Sequence, residues 1–164
     1  MKRVAVWVGL MACVFGAEPR DSATTGAMRV HVLRLRPGQD LLRSLAAFAE
    51  EKQIRAGVVL TTVGSLNETR LRLANRQELT VRKGKAEIVS LVGTIDARSA
   101  HLHLSVSDGR GRTFGGHLVE GCPVCTTAEI VIGEMPELRF SREKDVGGSG
   151  YEELKVDVME RPRR

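Results

Sequence analysis

An α+β domain, with one main helix packed on a mostly antiparallel β-sheet, is the fold this chain predicts. Three observations carry that expectation: a single segment of helical periodicity, a succession of short alternating runs after it, and turn residues at nearly every boundary. The length of 164 residues suits one such domain and is too short for two independent enzymatic ones. With 42% hydrophobic and 27% charged residues, the chain has the composition of a packed core rather than of disorder. No apolar run reaches the ~18–20 residues of a spanning helix, which excludes a polytopic helical membrane protein. The formal charge of +5 gives only a modest bias towards anionic partners.

Residues 1–27 stand apart as a signal-like leader and linker, and residues 28–160 form the domain. Lys2 and Arg3 precede an apolar run from Val4 to Phe15, and small residues then lead to Glu18 and Pro19. A charged start, an apolar segment and a small residue at the cut are the layout of a secretory signal. On that reading residues 1–16 are removed and the protein is secreted. The alternative is a cytoplasmic protein whose translation starts at Met28. Asp21 to Ala27 is small and polar, the composition of a linker.

From Met28 the pattern is regular. Arg29 to Arg36 alternates apolar and polar residues as a half-exposed strand does, and Pro37-Gly38 breaks it. Asp40 is placed as an N-cap before Leu41, Leu42, Leu45, Ala46, Phe48 and Ala49, whose helical spacing continues to about Gln53. Gly57 ends that element, and Val58 to Val63 is a β-branched run suited to a buried strand. Further strands are expected at Glu68 to Ala74, Glu78 to Arg82, Glu87 to Ile95, Ala100 to Ser107 and Thr113 to Glu120. Thr126 to Ile132, Leu138 to Arg142 and Glu153 to Met159 complete the set, in meander order. Lys144 to Gly150, with three glycines, reads as a flexible loop.

Ala100 to Glu120 is the most informative stretch. Leu102, Leu104 and Val106 point to one face of the strand, and His101, His103, Ser105 and Ser107 to the other. Asp108-Gly109-Arg110-Gly111-Arg112 returns the chain as a hairpin with a three- or five-residue loop. Either odd length places His103 opposite His117 and Leu102 opposite Leu118, whereas a one-residue slip would turn His117 onto the leucine face. Directly opposed residues have Cβ atoms roughly 4.5–5.5 Å apart. His101, His103 and His117 are therefore candidate ligands for one divalent metal, zinc before copper or nickel, with a fourth position left for water. Gly115 and Gly116 would leave room for a ligand beside them. The competing reading is three surface or interface histidines without a metal. His31, on an Arg-rich strand, reads as a surface residue.

Cys122-Pro123-Val124-Cys125 spaces two cysteines as a C-x-x-C. It lies between strands, without the helix N-terminus that lowers a thiol pKa, so a structural pair of small buried residues is favoured over redox chemistry. In a secreted chain the two could instead form a strained bridge. Arg110-Gly111-Arg112 resembles the core of an AT-hook, but Thr113 replaces the proline and the segment is a turn. Direct DNA binding is disfavoured accordingly.

Val92-Gly93-Thr94-Ile95, His101-Leu102-His103-Leu104-Ser105-Val106-Ser107-Asp108, Gly111, Gly115-Gly116-His117-Leu118 and Gly121-Cys122-Pro123-Val124 together resemble the PPC family (plants and prokaryotes conserved, also called DUF296). The resemblance runs from about Met28 to Asp157. It implies a central antiparallel sheet and assembly as a homotrimer. It also implies a metal at a histidine cluster like His101, His103 and His117, as in some prokaryotic members. Plant members bind AT-rich DNA through a separate AT-hook, which this chain lacks. Two functions remain in view. One is a trimeric, metal-binding protein-association module. The other is a small zinc hydrolase-like enzyme of unknown substrate, with Glu120 or Glu129 as general base.

Overall fold

The computed structural model describes residues 27–159; the leader read at residues 1–16 lies outside them. Eight strands and one helix follow in the order β1 (Arg29–Leu35), α1 (Leu41–Glu51), β2 (Gly57–Arg72), β3 (Leu79–Ile95), β4 (Ala100–Asp108), β5 (Thr113–Leu118), β6 (Val124–Glu134), β7 (Leu138–Lys144) and β8 (Glu152–Val158). The sheet is antiparallel throughout and the single helix is short, so the chain is richer in β-structure than an even α+β mixture.

Helix α1 forms where the apolar spacing places it. Leu41, Leu45 and Ala49 recur at four-residue intervals and are fully buried against the sheet. Each such leucine contributes about 1.5–3 kcal/mol of burial. Asp40 caps the helix by accepting from the Arg43 N–H at 2.9 Å, and its other oxygen accepts from the N–H groups of Gly121 and Cys122 at 2.7 and 2.8 Å. The helix stops at Glu51, with Gln53 left-handed at φ 52°, two residues before the expected end.

The six-stranded sheet runs β1-β6-β2-β3-β4-β5, with β5 also pairing with β2. The expected meander therefore holds for β2 to β5 only. Strand β6 crosses back to the free edge of β2, and β1 pairs with β6. Two pairs of expected strands are merged. Gly64-Ser65 and Asn67 carry turn chemistry but form bulges within β2, and Lys83-Gly84-Lys85 lies within β3. The long bent β2 is thus shared along its outer edge between β6 and, at Leu71 and Arg72, β5.

The core lies between this curved sheet and the helix. Leu66, Leu71, Ile95, Leu102, Leu104, Val106, Leu118, Val124, Ile130 and Ile132 fill it. β7 and β8 form a separate hairpin, held down by the Phe140 N–H on the Arg55 carbonyl at 2.9 Å and by buried Leu138. The loop expected at Lys144 to Gly150 is a turn organised by Asp145, which accepts from the Ser149 N–H at 2.7 Å, while its carbonyl accepts from the Gly150 N–H. Among the described residues no helix is long and apolar enough to cross a membrane.

Candidate metal centre

The hairpin of β4 and β5 has the expected register: His103 lies opposite His117, Val106 opposite Phe114 and Ser107 opposite Thr113. The turn explains why. The Gly111 N–H donates to the Asp108 carbonyl at 2.8 Å, and Gly111 takes the left-handed conformation at φ 76°. The Asp108 side chain accepts from the Arg110 and Arg112 N–H groups and from Arg112 Nε. The Arg112 guanidinium, followed by those backbone donors, holds the Asp108 carboxyl down at about 2.

With Leu102, Leu104 and Val106 inside, His101 and His103 necessarily face out, and His117 joins them from β5. The Nε2 atoms of His101 and His103 are 3.3 Å apart, and one ring nitrogen from each of the three histidines lies within 4.8 Å of the others. Ring centroids are 5.2 to 5.7 Å apart, so no ring stacks over another and the nitrogens converge. Burial lowers the pKa of His101, assisted by the positive charges of Arg142 and His103, with Glu153 opposing. His117 is lowered by burial and then by Arg72. Both shifts favour the neutral imidazole, the form that ligates metals.

Donor chemistry and spacing fit a zinc-class ion. At bond lengths of ~2.0–2.1 Å, two ligand nitrogens of a tetrahedral zinc lie about 3.3–3.4 Å apart, which the His101–His103 pair already matches. The two glycines serve a different purpose from the one expected. A Cβ on Gly115 would meet the Leu104 carbonyl oxygen, and one on Gly116 the Arg72 carbonyl oxygen at 2.9 Å. They let β5 approach β4 and β2 closely, rather than opening space for a ligand.

Space is supplied elsewhere. A cavity of about 580 Å³ adjoins the histidines, lined by Arg72, His101, His117, Arg142, Tyr151 and Glu153 among others. Arg72 is the register partner of His117 on β2, and Arg142 reaches over from β7 to donate to Thr94 Oγ1 at 2.9 Å. A smaller hollow of about 340 Å³ on the Val92 side shares His101, Arg142 and Glu153. Neither expected general base is here: Glu120 pairs with Arg43 at 2.7 Å, and Glu129 sits on β6 between Arg34 and Val63. Sequence reasoning did not single out Arg142, Tyr151 or Glu153 as site residues. No local pattern ties the β7–β8 hairpin to the histidines.

The other singled-out residues are structural. Cys122 is fully buried, its sulfur accepts from the Arg70 N–H at 3.1 Å, and burial pushes its thiol up to about 11. Such a thiol is no nucleophile. Cys122 and Cys125 are both free. His31 is not a surface residue: its Nε2 lies 2.8 Å from buried Glu134 and its ring meets Phe48 edge-on at 5.7 Å.

Residues 22–136 match the model of the Plants and Prokaryotes Conserved (PCC) domain. The chain belongs to this family. It is similar, at 47% identity over 82% of its length, to the bifunctional protein GlmU of a Synechococcus strain, of which it spans only 22%. It is 27% identical over 88% of its length to the AT-hook motif nuclear-localized protein 18 of Arabidopsis thaliana, spanning 51% of that protein. Among solved structures it resembles a hypothetical protein from Salmonella enterica, with a TM-score of 0.80, 42% identity and coverage of 82% of this chain and 97% of that one. A metal-containing protein from Archaeoglobus fulgidus shares the fold at a TM-score of 0.66 and 23% identity, over 81% of this chain and 99% of that one.

Proposed function

We propose that this PCC-domain chain is a metal-binding module that holds one zinc-class ion at His101, His103 and His117 and associates with further copies of itself as a homotrimer. The observation that carries the metal reading is the convergence of three imidazoles, within 4.8 Å, on the outward face of a two-stranded hairpin. When bound, zinc would supply a Lewis-acid centre with a fourth coordination position. The histidines would hold it, the leucine face beneath keeps them in register, and the positive charges of Arg72 and Arg142 disfavour protonation of His101 and His117.

Self-association is supported by the same outer face of the sheet. Directly opposed residues share a face, so the register links Val30, Gly133, Val58, Thr94 and His101 in one row. Val32, Val131 and Thr61 form the next, and Val92 stands beside His103. Val32 is 75% exposed and Val63 56%, an unusual number of open valines for one sheet face. Arg110-Gly111-Arg112 is bent around Asp108 as a turn, which favours association over minor-groove insertion.

The cavity favours a second reading, a hydrolase-like enzyme, in which Glu153 rather than Glu120 or Glu129 stands near the site. The deciding experiment is metal analysis of the full chain after zinc incubation and desalting. About one ion per subunit is expected. Stoichiometric zinc in a His103→Ala/His117→Ala double variant would defeat the assignment.

A further inference from the structure

We infer that the cavity beside His101 and His117 is a binding site for a small oxyanion, a carboxylate or phosphate group, gripped by the guanidinium groups of Arg72 and Arg142. The inference deepens the metal reading of the same site and rests on it.

Two arginines reach this hollow from different parts of the fold. Arg72 ends β2 directly opposite His117, where β5 closes onto β2. Arg142 stands on β7, beyond residue 136 where the family match stops, and is aimed at the histidine side of the sheet by its bond to Thr94, itself the register partner of His101. Neither guanidinium makes an ion pair among the described residues. A guanidinium presents planar paired donors matched to carboxylate and phosphate oxygens. Two of them beside His101 and His117 give the hollow hydrogen-bond donors and positive charge on that side.

Glu152 and Glu153 also line the cavity and offset part of that charge, and Glu153 is engaged by Ser149 Oγ at 2.7 Å. A bound divalent ion would restore the positive excess, leaving an anionic ligand as the complement. The volume, about 580 Å³, suits a small metabolite-sized molecule rather than a polymer. Tyr151, on the rim at 75% exposure, offers a ring and a hydroxyl to the remainder of such a ligand.

Calorimetric titration of the full chain, zinc-loaded and zinc-free, with inorganic phosphate and separately with acetate tests the inference. Zinc content is measured on every sample. The zinc-loaded chain is expected to bind at least one of the two anions, and the tighter one names the ligand class. Arg72→Gln and Arg142→Gln should each weaken that binding about tenfold, as loss of a charge-assisted bond does, with zinc content unchanged. Thr94→Val, which frees Arg142 of its hydrogen bond but keeps its charge, should retain most of the affinity and shows whether the hairpin's seating alone is responsible. No uptake of either anion, or equal affinity in wild type and both arginine variants, overturns the inference whatever the zinc content. A wild-type chain that takes up no zinc on incubation yet binds an anion through Arg72 and Arg142 overturns the metal reading and leaves the oxyanion site standing.

Discussion

His101 and His117 are groups whose pKa values fall below the usual 6.5 because burial and positive neighbours disfavour their charged forms. The groups facing them are Arg72 on β2, Arg142 on β7, Glu153 on β8 and His103 between them. In the unfolded chain both would titrate near the ordinary value. Between that value and the lower folded ones the unfolded state binds more protons, so their contribution to stability is full above about pH 6.5 and declines as pH falls below it. Urea midpoints of the metal-free chain should drop between about pH 7 and 5. A double His101→Gln/His117→Gln variant should show a flatter profile over that range. Asp40 is the other residue on which much depends, since its two oxygens serve three backbone donors. Asp40→Ala removes a helix cap and leaves the N–H groups of half-buried Gly121 and fully buried Cys122 unpaired. A loss of about 2–4 kcal/mol in urea unfolding is expected. A loss no larger than a surface substitution would mean that water replaces the carboxylate without cost.

Elements meet closely where β5 closes onto β2. Gly116 has the Arg72 carbonyl oxygen at 2.9 Å and Leu73 Cδ2 at 3.2 Å from where a Cβ would stand. The carbonyl belongs to the backbone and cannot rotate away, so Gly116→Val must push the strands apart. A cost of about 1–3 kcal/mol follows from such overpacking, read by thermal melting. His117 is the next residue along β5, so the same variant should also lose zinc while His103 stays in place. Unchanged zinc binding in a destabilised Gly116→Val chain would show that β5 holds His117 without help from β2. In the core, Leu104→Ala opens a cavity under the histidine strand, because the side chain is 1% exposed among other leucines. About 2–5 kcal/mol is expected from that truncation.

The outer face of the six-stranded sheet carries the open valines Val30, Val32, Val63 and Val92, which a closed assembly would cover. Sedimentation should give roughly three times the 17.9 kDa chain mass. Val32→Lys puts a charge at the most exposed of these positions and should shift the mass towards the single chain without altering zinc content. A wild-type chain that sediments as a monomer at micromolar concentration would sink the trimer proposal and leave the valines unexplained.

Much of the site was legible because its cause is local. The period-two pattern of Leu102, Leu104 and Val106 determines which face is buried, and the odd-numbered loop then places His103 opposite His117, since any slip would bury an imidazole. The helix was legible for the same reason, from its spacing and from Asp40, although the carboxylate's second task at Gly121 and Cys122 was not. What the sequence alone left open are the pairings between distant segments. Residues Gly64 to Asn67 fall between two expected strands because bulges and turns use the same residues, and only pairing with β3 and β6 joins those strands into one. His31 reads as exposed until β6 brings Glu134 to it. The closure of β5 onto β2 and the reach of Arg142 to Thr94 depend on backbone approach and long-range packing, which no spacing encodes. Local periodicity determined the three imidazoles; the tertiary fold decided what surrounds them, because cavity walls are made by segments that meet only after the sheet has closed.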